Sequence, residues 1–220
     1  MRRFPGILLA VLLLSLGPAA GDGHRFAIAR LQYGGGGDWY SDLSSLPNLL
    51  RYIADHTRVD AAPEDAQVRI MDEKLFSYPY LYMTGHGNVS LSEAEVIRLR
   101  QYLENGGFLH ADDNYGMDES FRREMSKLFP RKEFVELPPD HGIFRSHFDL
   151  PGGLPKIHEH DGNRAQALAL FEGSRIILLY TFESDLGDGW EDADVHGDPE
   201  EKREAALRMG TNIVVWALTH

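Results

Sequence analysis

The sequence predicts an α/β protein: an open, mostly parallel sheet with helices on both faces, plus an antiparallel hairpin. Two observations predict it. Short segments rich in β-branched and aromatic residues alternate along the chain with amphipathic helical segments, which is typical of parallel strands joined by right-handed crossovers. Two later apolar segments are separated only by a tight turn, which indicates a hairpin.

Residues 1–23 have the layout of a signal peptide, with two arginines, an apolar run and then small residues. The run from Ile7 to Leu16 is shorter than the roughly 20 residues that a membrane-spanning helix needs. We therefore favour cleavage over a retained anchor, and an uncleaved signal is the alternative. The expected product is a periplasmic or secreted bacterial protein in which residues 24–220 form one domain.

The first strands and helices follow from residue patterns. FAIARLQY, residues 26–33, predicts a strand that four glycines end, and LPNLLRYIADH predicts a helix because four apolar residues recur at helical spacing. YPYLYMTG, residues 78–85, predicts a second central strand. The next helix opens with a capping box formed by Ser92 and Glu95, and FLHAD predicts the strand after it.

The second half of the chain continues this alternation. A helix is predicted over residues 117–129, and EFVEL indicates a further strand over residues 133–137. Residues 166–183 predict two strands around the turn EGS, which makes the hairpin. The last helix is expected to have Asp198 as its cap and Pro199 at its first position.

Composition excludes several functions. The chain has no cysteine, which excludes disulfides, thiolate metal sites, a cysteine nucleophile and a lipid-modified cysteine. Its formal net charge of −12 repels phosphate backbones, so nucleic acid and anionic membranes are not expected partners. No serine stands on a GxSxG elbow, so nothing favours a serine hydrolase. The expected partner is a polar small molecule or an envelope protein.

Four loops that follow predicted strands contain glycines and polar side chains: GGGGDWY, TGHGN, HADDNYG and SDLGDGWED. In open parallel sheets, ligands bind beyond the carboxyl ends of the strands. GGGGDWY lacks the last glycine of the dinucleotide pattern, so no phosphate cradle is predicted there. We expect the four loops to converge on one crevice.

The candidate catalytic residues lie in two of these loops. His110 and Asp112 share one face of a strand with Cα atoms about 6.6 Å apart, whereas Asp113 points to the other face or starts the loop. Gly85 and Gly87 can leave His86 open beside a ligand. A divalent metal ion is the one candidate cofactor, and its candidate ligands are His86, His110 and Asp112. The alternatives are a tight turn with a satisfied core histidine, and an exposed histidine in a sharp turn.

The candidate ligand-binding residues are more widely spread. Asp38, Trp39 and Tyr40 can offer a carboxylate and rings to a sugar-like ligand, although anchoring of the loop by its aromatic residues is the alternative. Asp185 and Asp188 follow a strand directly, beside glycines. His141 can reach the crevice from a long loop, although a surface histidine is the favoured alternative. The full candidate set is Asp38, Trp39, Tyr40, His86, Asn114, His141, Asp185 and Asp188.

Two polar clusters are predicted to be solvated rather than functional. His158, Glu159 and His160 lack the spacing of a zinc-binding helix. The alternating residues Asp192, Asp194, His196 and Asp198 lack the glycine and the terminal glutamate of a calcium loop.

Five blocks carry a family resemblance: GGGDWY, YLYMTGHGNVSLSEAEVIRLRQYLENGGFLHADDN, LPPDHGIF, SDLGDGWE and RMGTNIVVWALTH. Over residues 24–220 the chain resembles the bacterial domain-of-unknown-function 4159 family. The resemblance implies a flavodoxin-like, class I glutamine amidotransferase-like fold, near the ThuA-like proteins. Asp112 and Asp113 stand where such amidotransferases carry their cysteine, so thioester-based glutamine hydrolysis is excluded.

Two functions remain open at this point. The first is an exported binding domain for a carbohydrate-like ligand or an envelope protein, which needs no nucleophile. The second is a metal-assisted hydrolase that uses the histidines and aspartates at the strand ends.

Overall fold

The structure, a computed structural model, describes residues 25–220, and the predicted signal peptide lies outside them. The strands are β1 (Ile28–Gln32), β2 (Ala66–Arg69), β3 (Tyr80–Met83), β4 (Phe108–Asp112), β5 (Val135–Glu136), β6 (Gln166–Glu172) and β7 (Arg175–Phe182). The helices are α1 (Ser45–His56), α2 (Glu93–Glu104), α3 (Asp118–Leu128), α4 (Leu186–Trp190), α5 (Ala193–His196) and α6 (Glu200–Thr219).

The strands form one sheet in the order β2-β1-β3-β4-β7-β6-β5. The five strands β2, β1, β3, β4 and β7 are parallel. β6 pairs with β7 and with β5 in antiparallel fashion. The predicted open, mostly parallel sheet and its antiparallel hairpin are therefore confirmed.

Helices cover both faces of the sheet. On one face α2 and α3 pack on a core that includes Leu81, Leu109 and Ala111. On the other face α1, α4 and α6 pack on Tyr80, Tyr82 and their neighbours. Successive residues of a strand point to opposite faces, so the even-numbered residues of β4 point toward the layer of α1, α4 and α6.

Three details differ from the prediction. β2 was not predicted, because it is a short edge strand in which only Val68 is buried. β5 has two residues instead of the predicted five. The cap of α6 is Pro199, because the carboxylate of Asp198 is turned to His158, with 2.9 Å between Oδ2 and Nε2.

The predicted capping box of α2 is present. Ser92 Oγ accepts from the Glu95 amide, and the Glu95 carboxylate accepts from the Ser92 amide. Replacing Ser92 by alanine is expected to lower the free energy of unfolding by about 1 kcal/mol, measured by urea denaturation. Ser126→Ala, at an exposed position inside α3, is the matched control and should change stability by less than about 0.5 kcal/mol.

Within residues 25–220, none of the helices combines the length and the apolar character needed to cross a membrane.

Candidate functional site

Strand direction brings several loops to one edge of the sheet. The parallel strands β1, β3, β4 and β7 all end there. β6 runs the other way, with Gln166 beside Phe182, so the residues that precede β6 reach the same edge. We call the region between these loops the strand-end crevice.

Asp42 is positioned in the crevice by a buried arginine. Arg30 donates to the carbonyl oxygens of Ser41 at 2.6 Å and Asp42 at 3.1 Å. Asp42 has a φ of +56°, which an aspartate tolerates better than most residues. Burial, and then the charge of Asp188, raise the pKa of Asp42 to about 6. No sequence pattern indicated this residue.

Asn114 connects two loops of the crevice. Its Nδ2 donates to Asp42 Oδ2 at 2.7 Å and lies 3.4 Å from Asp188 Oδ1. Its Oδ1 accepts from the Thr84 hydroxyl at 2.9 Å. Asn114 lies at the strand ends, and its hydrogen bonds explain how it orients the two aspartates.

Asp112 lies at the buried floor of the crevice. Its Oδ2 accepts from the Gly187 amide at 2.7 Å and from the Tyr82 hydroxyl at 3.2 Å. Its Oδ1 accepts from the Thr181 hydroxyl. Burial raises the pKa of Asp112 to about 7, against these hydrogen bonds, which lower it. Asp112 is therefore a fixed carboxyl group that titrates near neutral pH.

His110 supports Asp112 from inside the protein. The two residues share a face as predicted, and the Thr181 hydroxyl lies between them, 2.9 Å from His110 Nε2. An ionised carboxylate only accepts hydrogen bonds, so the Thr181 hydroxyl donates to Asp112. The same hydroxyl then accepts from His110 Nε2–H. This leaves His110 Nδ1 to accept from the Tyr80 hydroxyl at 3.0 Å. Burial lowers the pKa of His110 to about 3, so this residue is a neutral core histidine with both nitrogens in use.

The raised pKa of Asp112 predicts a pH dependence of stability. The folded state holds this proton more tightly than the unfolded state, in which the pKa is near 3.8. The resulting stabilisation is complete below pH 3.8 and is lost as the pH rises through about 7. Urea denaturation of metal-free protein should show a loss over this window to which Asp112 contributes about 2–4 kcal/mol, beside the contributions of Asp42 and Asp185, whose pKa values are also raised. Asp112→Asn should remove the Asp112 contribution. Parallel pH curves for the two proteins would contradict the assignment.

Two histidines and an aspartate at the open side of the crevice form the group that we call the metal triad. One potential ligand atom each from His158, Asp188 and His196 lies within 4.8 Å of the others. His158 Nδ1 is 2.8 Å from Asp188 Oδ2, and His196 Nε2 is 3.6 Å from Asp188 Oδ1. Within the described part of the chain, no other group of three or more histidine or acidic side chains has ligand atoms close enough together to hold one ion.

Further polar residues surround the metal triad. His158 Nε2 is 2.9 Å from Asp198 Oδ2, and His196 Nε2 is 2.9 Å from Glu191 Oε2. Asp185 is fully buried, and its Oδ2 forms a hydrogen bond with His160 Nε2. Burial, and then the charges of Asp112 and Asp188, raise the pKa of Asp185 to about 9. Around the metal triad, carboxyl side chains outnumber cationic side chains. Repulsion between their negative charges is unfavourable unless another positive charge offsets it.

The solvated interpretation of two clusters is therefore wrong in part. His158 and His160 are half-buried and paired with aspartates, whereas Glu159 is exposed as expected. In the second cluster, Asp192, Asp194 and His196 are exposed, as expected. His196 nevertheless reaches Asp188, and the half-buried Asp198 pairs with His158.

The predicted metal ligands His86, His110 and Asp112 do not have their ligand atoms close enough together to hold one ion. His86 is exposed and pairs instead with another candidate, Asp38, with 3.1 Å between Nδ1 and Oδ2. Asp113 points away from Asp112, as predicted, and accepts from the Met117 amide at 3.4 Å.

The remaining candidates have separate positions. Trp39 packs against the core on the side of α2 and α3, whereas Tyr40 is exposed. His141 lies far from the crevice, because its ring packs on Trp216, with 5.0 Å between centroids. α6 begins next to the crevice, close to Asp198, and Trp216 lies about 24 Å along the helix from its first residue.

Sequence comparison identifies the family. The family profile described as "Domain of unknown function (DUF4159)" matches residues 27–218, so the chain belongs to this family and the predicted resemblance is confirmed. No curated protein matches the chain.

Proposed function

We propose that this DUF4159 protein is an exported single-domain protein that binds one divalent cation in the strand-end crevice and uses it to hold a polar, carbohydrate-like ligand. The observation that carries the proposal is the metal triad, whose potential ligand atoms lie within 4.8 Å of one another. Three protein ligands leave coordination positions open for water or for a hydroxyl group of the bound molecule.

The donor set favours a particular kind of cation. Two imidazoles and one carboxylate suit Zn²⁺, Mn²⁺ and similar transition metals, whereas Ca²⁺ and Mg²⁺ prefer an all-oxygen environment. The histidines at the crevice have carboxylate partners, as metal-binding histidines usually do.

The charge of the crevice also supports a cation. The carboxyls of Asp42, Asp112 and Asp185 lie around Asp188. Burial is the largest cause that raises their pKa values, and the charge of Asp188 raises each of them further. The nearby cation Arg30 is directed at backbone carbonyl oxygens. A divalent ion would offset this excess of negative charge, and one ion leaves the crevice more attractive to neutral hydroxyl groups than to anions.

The rim of the crevice supports a sugar-like ligand. The Tyr115 side chain is 47% exposed, and its ring stacks on His160 with 4.7 Å between centroids. An exposed aromatic face beside a cation gives a sugar ring an apolar surface to pack on while its hydroxyl groups reach the metal. The predicted alternative, an envelope protein partner, would bury the same rim.

The experiment is isothermal titration of metal-free protein with Zn²⁺, Mn²⁺ and Ca²⁺. We expect one Zn²⁺ or Mn²⁺ per chain, an increase in melting temperature on binding, and weaker binding of Ca²⁺. The metal-loaded protein is then screened against neutral saccharides by thermal shift, with EDTA-treated protein as the control. A chain that takes up none of the three ions would contradict the proposal.

Metal-assisted hydrolysis is the second candidate function. The observation that favours it is the Asp112 carboxyl, whose pKa of about 7 suits a group that exchanges protons at neutral pH. A metal ion would lower the pKa of a bound water. The test is Zn²⁺- or Mn²⁺-dependent cleavage of ester and glycoside substrates, which Asp112→Asn should abolish. Metal-loaded protein without such activity would leave the binding function as the only one supported.

A further inference from the structure

Asp185 is a buried acid with an unused oxygen. Its side chain is inaccessible to solvent, and Oδ2 forms a hydrogen bond with His160 Nε2. Among residues 25–220, Oδ1 has no hydrogen-bond partner. Leaving a buried polar atom unpaired costs about 1–3 kcal/mol, so this arrangement is unfavourable unless another group satisfies the oxygen.

The backbone at Asp185 adds a second cost. Asp185 and Glu183 have φ values of +57° and +58°, and they lie on either side of Ser184 between β7 and α4. Left-handed conformations of non-glycine residues cost of the order of 1 kcal/mol each. This sharp turn directs the Asp185 carboxyl into the crevice rather than toward solvent, and such costs often accompany a functional site.

Asp185 lies beside the metal triad. Its Oδ2 is 3.9 Å from His158 Nδ1, the atom that is 2.8 Å from Asp188 Oδ2. The carboxyl therefore approaches the same imidazole as Asp188 does. A cation bound there would favour the ionised form of the Asp185 carboxyl, and its unpartnered oxygen is available to coordinate the ion.

We propose that Asp185 is a fourth protein ligand of the cation, with a fifth coordination position left for water or a hydroxyl group, and that His160 orients it. This inference rests on the proposed cation site and adds two residues to it. His160 donates to one carboxylate oxygen and leaves the other free, which is the usual role of a group that fixes a metal ligand. Tyr115 stacks on the ring of His160 and limits its rotation.

The test is Zn²⁺ titration of metal-free Asp185→Asn protein. Asparagine has nearly the same shape and tolerates a positive φ, so the fold should be retained, which near-UV circular dichroism checks. We expect Zn²⁺ affinity to fall at least tenfold, with one ion still bound per chain. The melting temperature of the metal-free variant should equal or exceed that of the wild type, because the variant buries no carboxyl group. His160→Gln is the second variant and should weaken Zn²⁺ binding several-fold.

The matched control is Asp161→Asn, which removes the same charge nearby. Asp161 is exposed and accepts from the Tyr115 hydroxyl at 3.0 Å, so its replacement should change Zn²⁺ affinity less than twofold. Wild-type affinity in Asp185→Asn, or an equal loss in Asp161→Asn, would overturn the role of Asp185 while leaving the cation site intact. A wild-type protein without Zn²⁺ binding would instead overturn the proposed function itself.

Discussion

Replacing His196 by alanine is expected to weaken Zn²⁺ binding at least 100-fold and to have little effect on the stability of the metal-free protein. Loss of one of three ligands should cost about 3 kcal/mol or more of binding free energy. His196 lies on the short helix α5 with its side chain 30% exposed, so its removal leaves no large cavity. Isothermal titration gives the affinity, and urea denaturation gives the stability.

The matched control for this prediction is His86→Ala. His86 is the exposed histidine that the sequence indicated as a metal ligand, and its side chain pairs with Asp38 outside the metal triad. Its replacement should leave Zn²⁺ affinity within about twofold of the wild type. If His86→Ala abolished binding and His196→Ala did not, the sequence-based set of ligands would be correct and the metal triad would not be the site.

Gly187→Ala is expected to lower the free energy of unfolding by about 1–3 kcal/mol and to weaken Zn²⁺ binding. A Cβ atom at this position would lie 2.5 Å from the Tyr82 hydroxyl, 2.8 Å from Asp42 Oδ2 and 3.3 Å from Asp112 Oδ2. These buried atoms can give way only by breaking hydrogen bonds that hold the floor of the crevice. Urea denaturation and Zn²⁺ titration of the same variant measure the two effects.

The control is a glycine that has space around it. A Cβ atom at Gly152 would meet no atom within 4 Å, so Gly152→Ala should leave stability unchanged or raise it by up to about 1 kcal/mol. If the two alanine variants changed the free energy of unfolding equally, the short distances from a Cβ atom at Gly187 to its neighbours would not be the reason that a glycine is needed there.

The central strands were predictable because each is a compact apolar segment with a clear end. β1, β3, β4 and β7 are buried on both faces, and such strands are nearly continuous apolar runs. β2 was missed because an edge strand buries few side chains and its sequence, AQVR, alternates only weakly.

The position of the crevice was predictable from strand direction, but the metal triad was not. Asp112, Asn114, Asp185 and Asp188 meet at the strand ends, as expected from a parallel sheet. His110 lies two residues before the end of its strand, and that depth makes it a core residue rather than a ligand.

The histidines of the crevice required a longer-range inference. His158 and His160 precede β6, and they reach the crevice only because β6 is antiparallel to its neighbour β7. The predicted hairpin contained this information, since residues that enter a hairpin lie beside those that leave it. His196 required the position of α5, which no periodic pattern in its four residues indicated.

The most direct test is anomalous diffraction from crystals of the protein grown with Zn²⁺. We expect one strong anomalous peak in the strand-end crevice, within about 2.0–2.2 Å of ligand atoms from His158, Asp188 and His196, with an Asp185 oxygen beside it. A peak at His86 and Asp38, or no peak in the crevice of Zn²⁺-saturated crystals, would contradict the cation site.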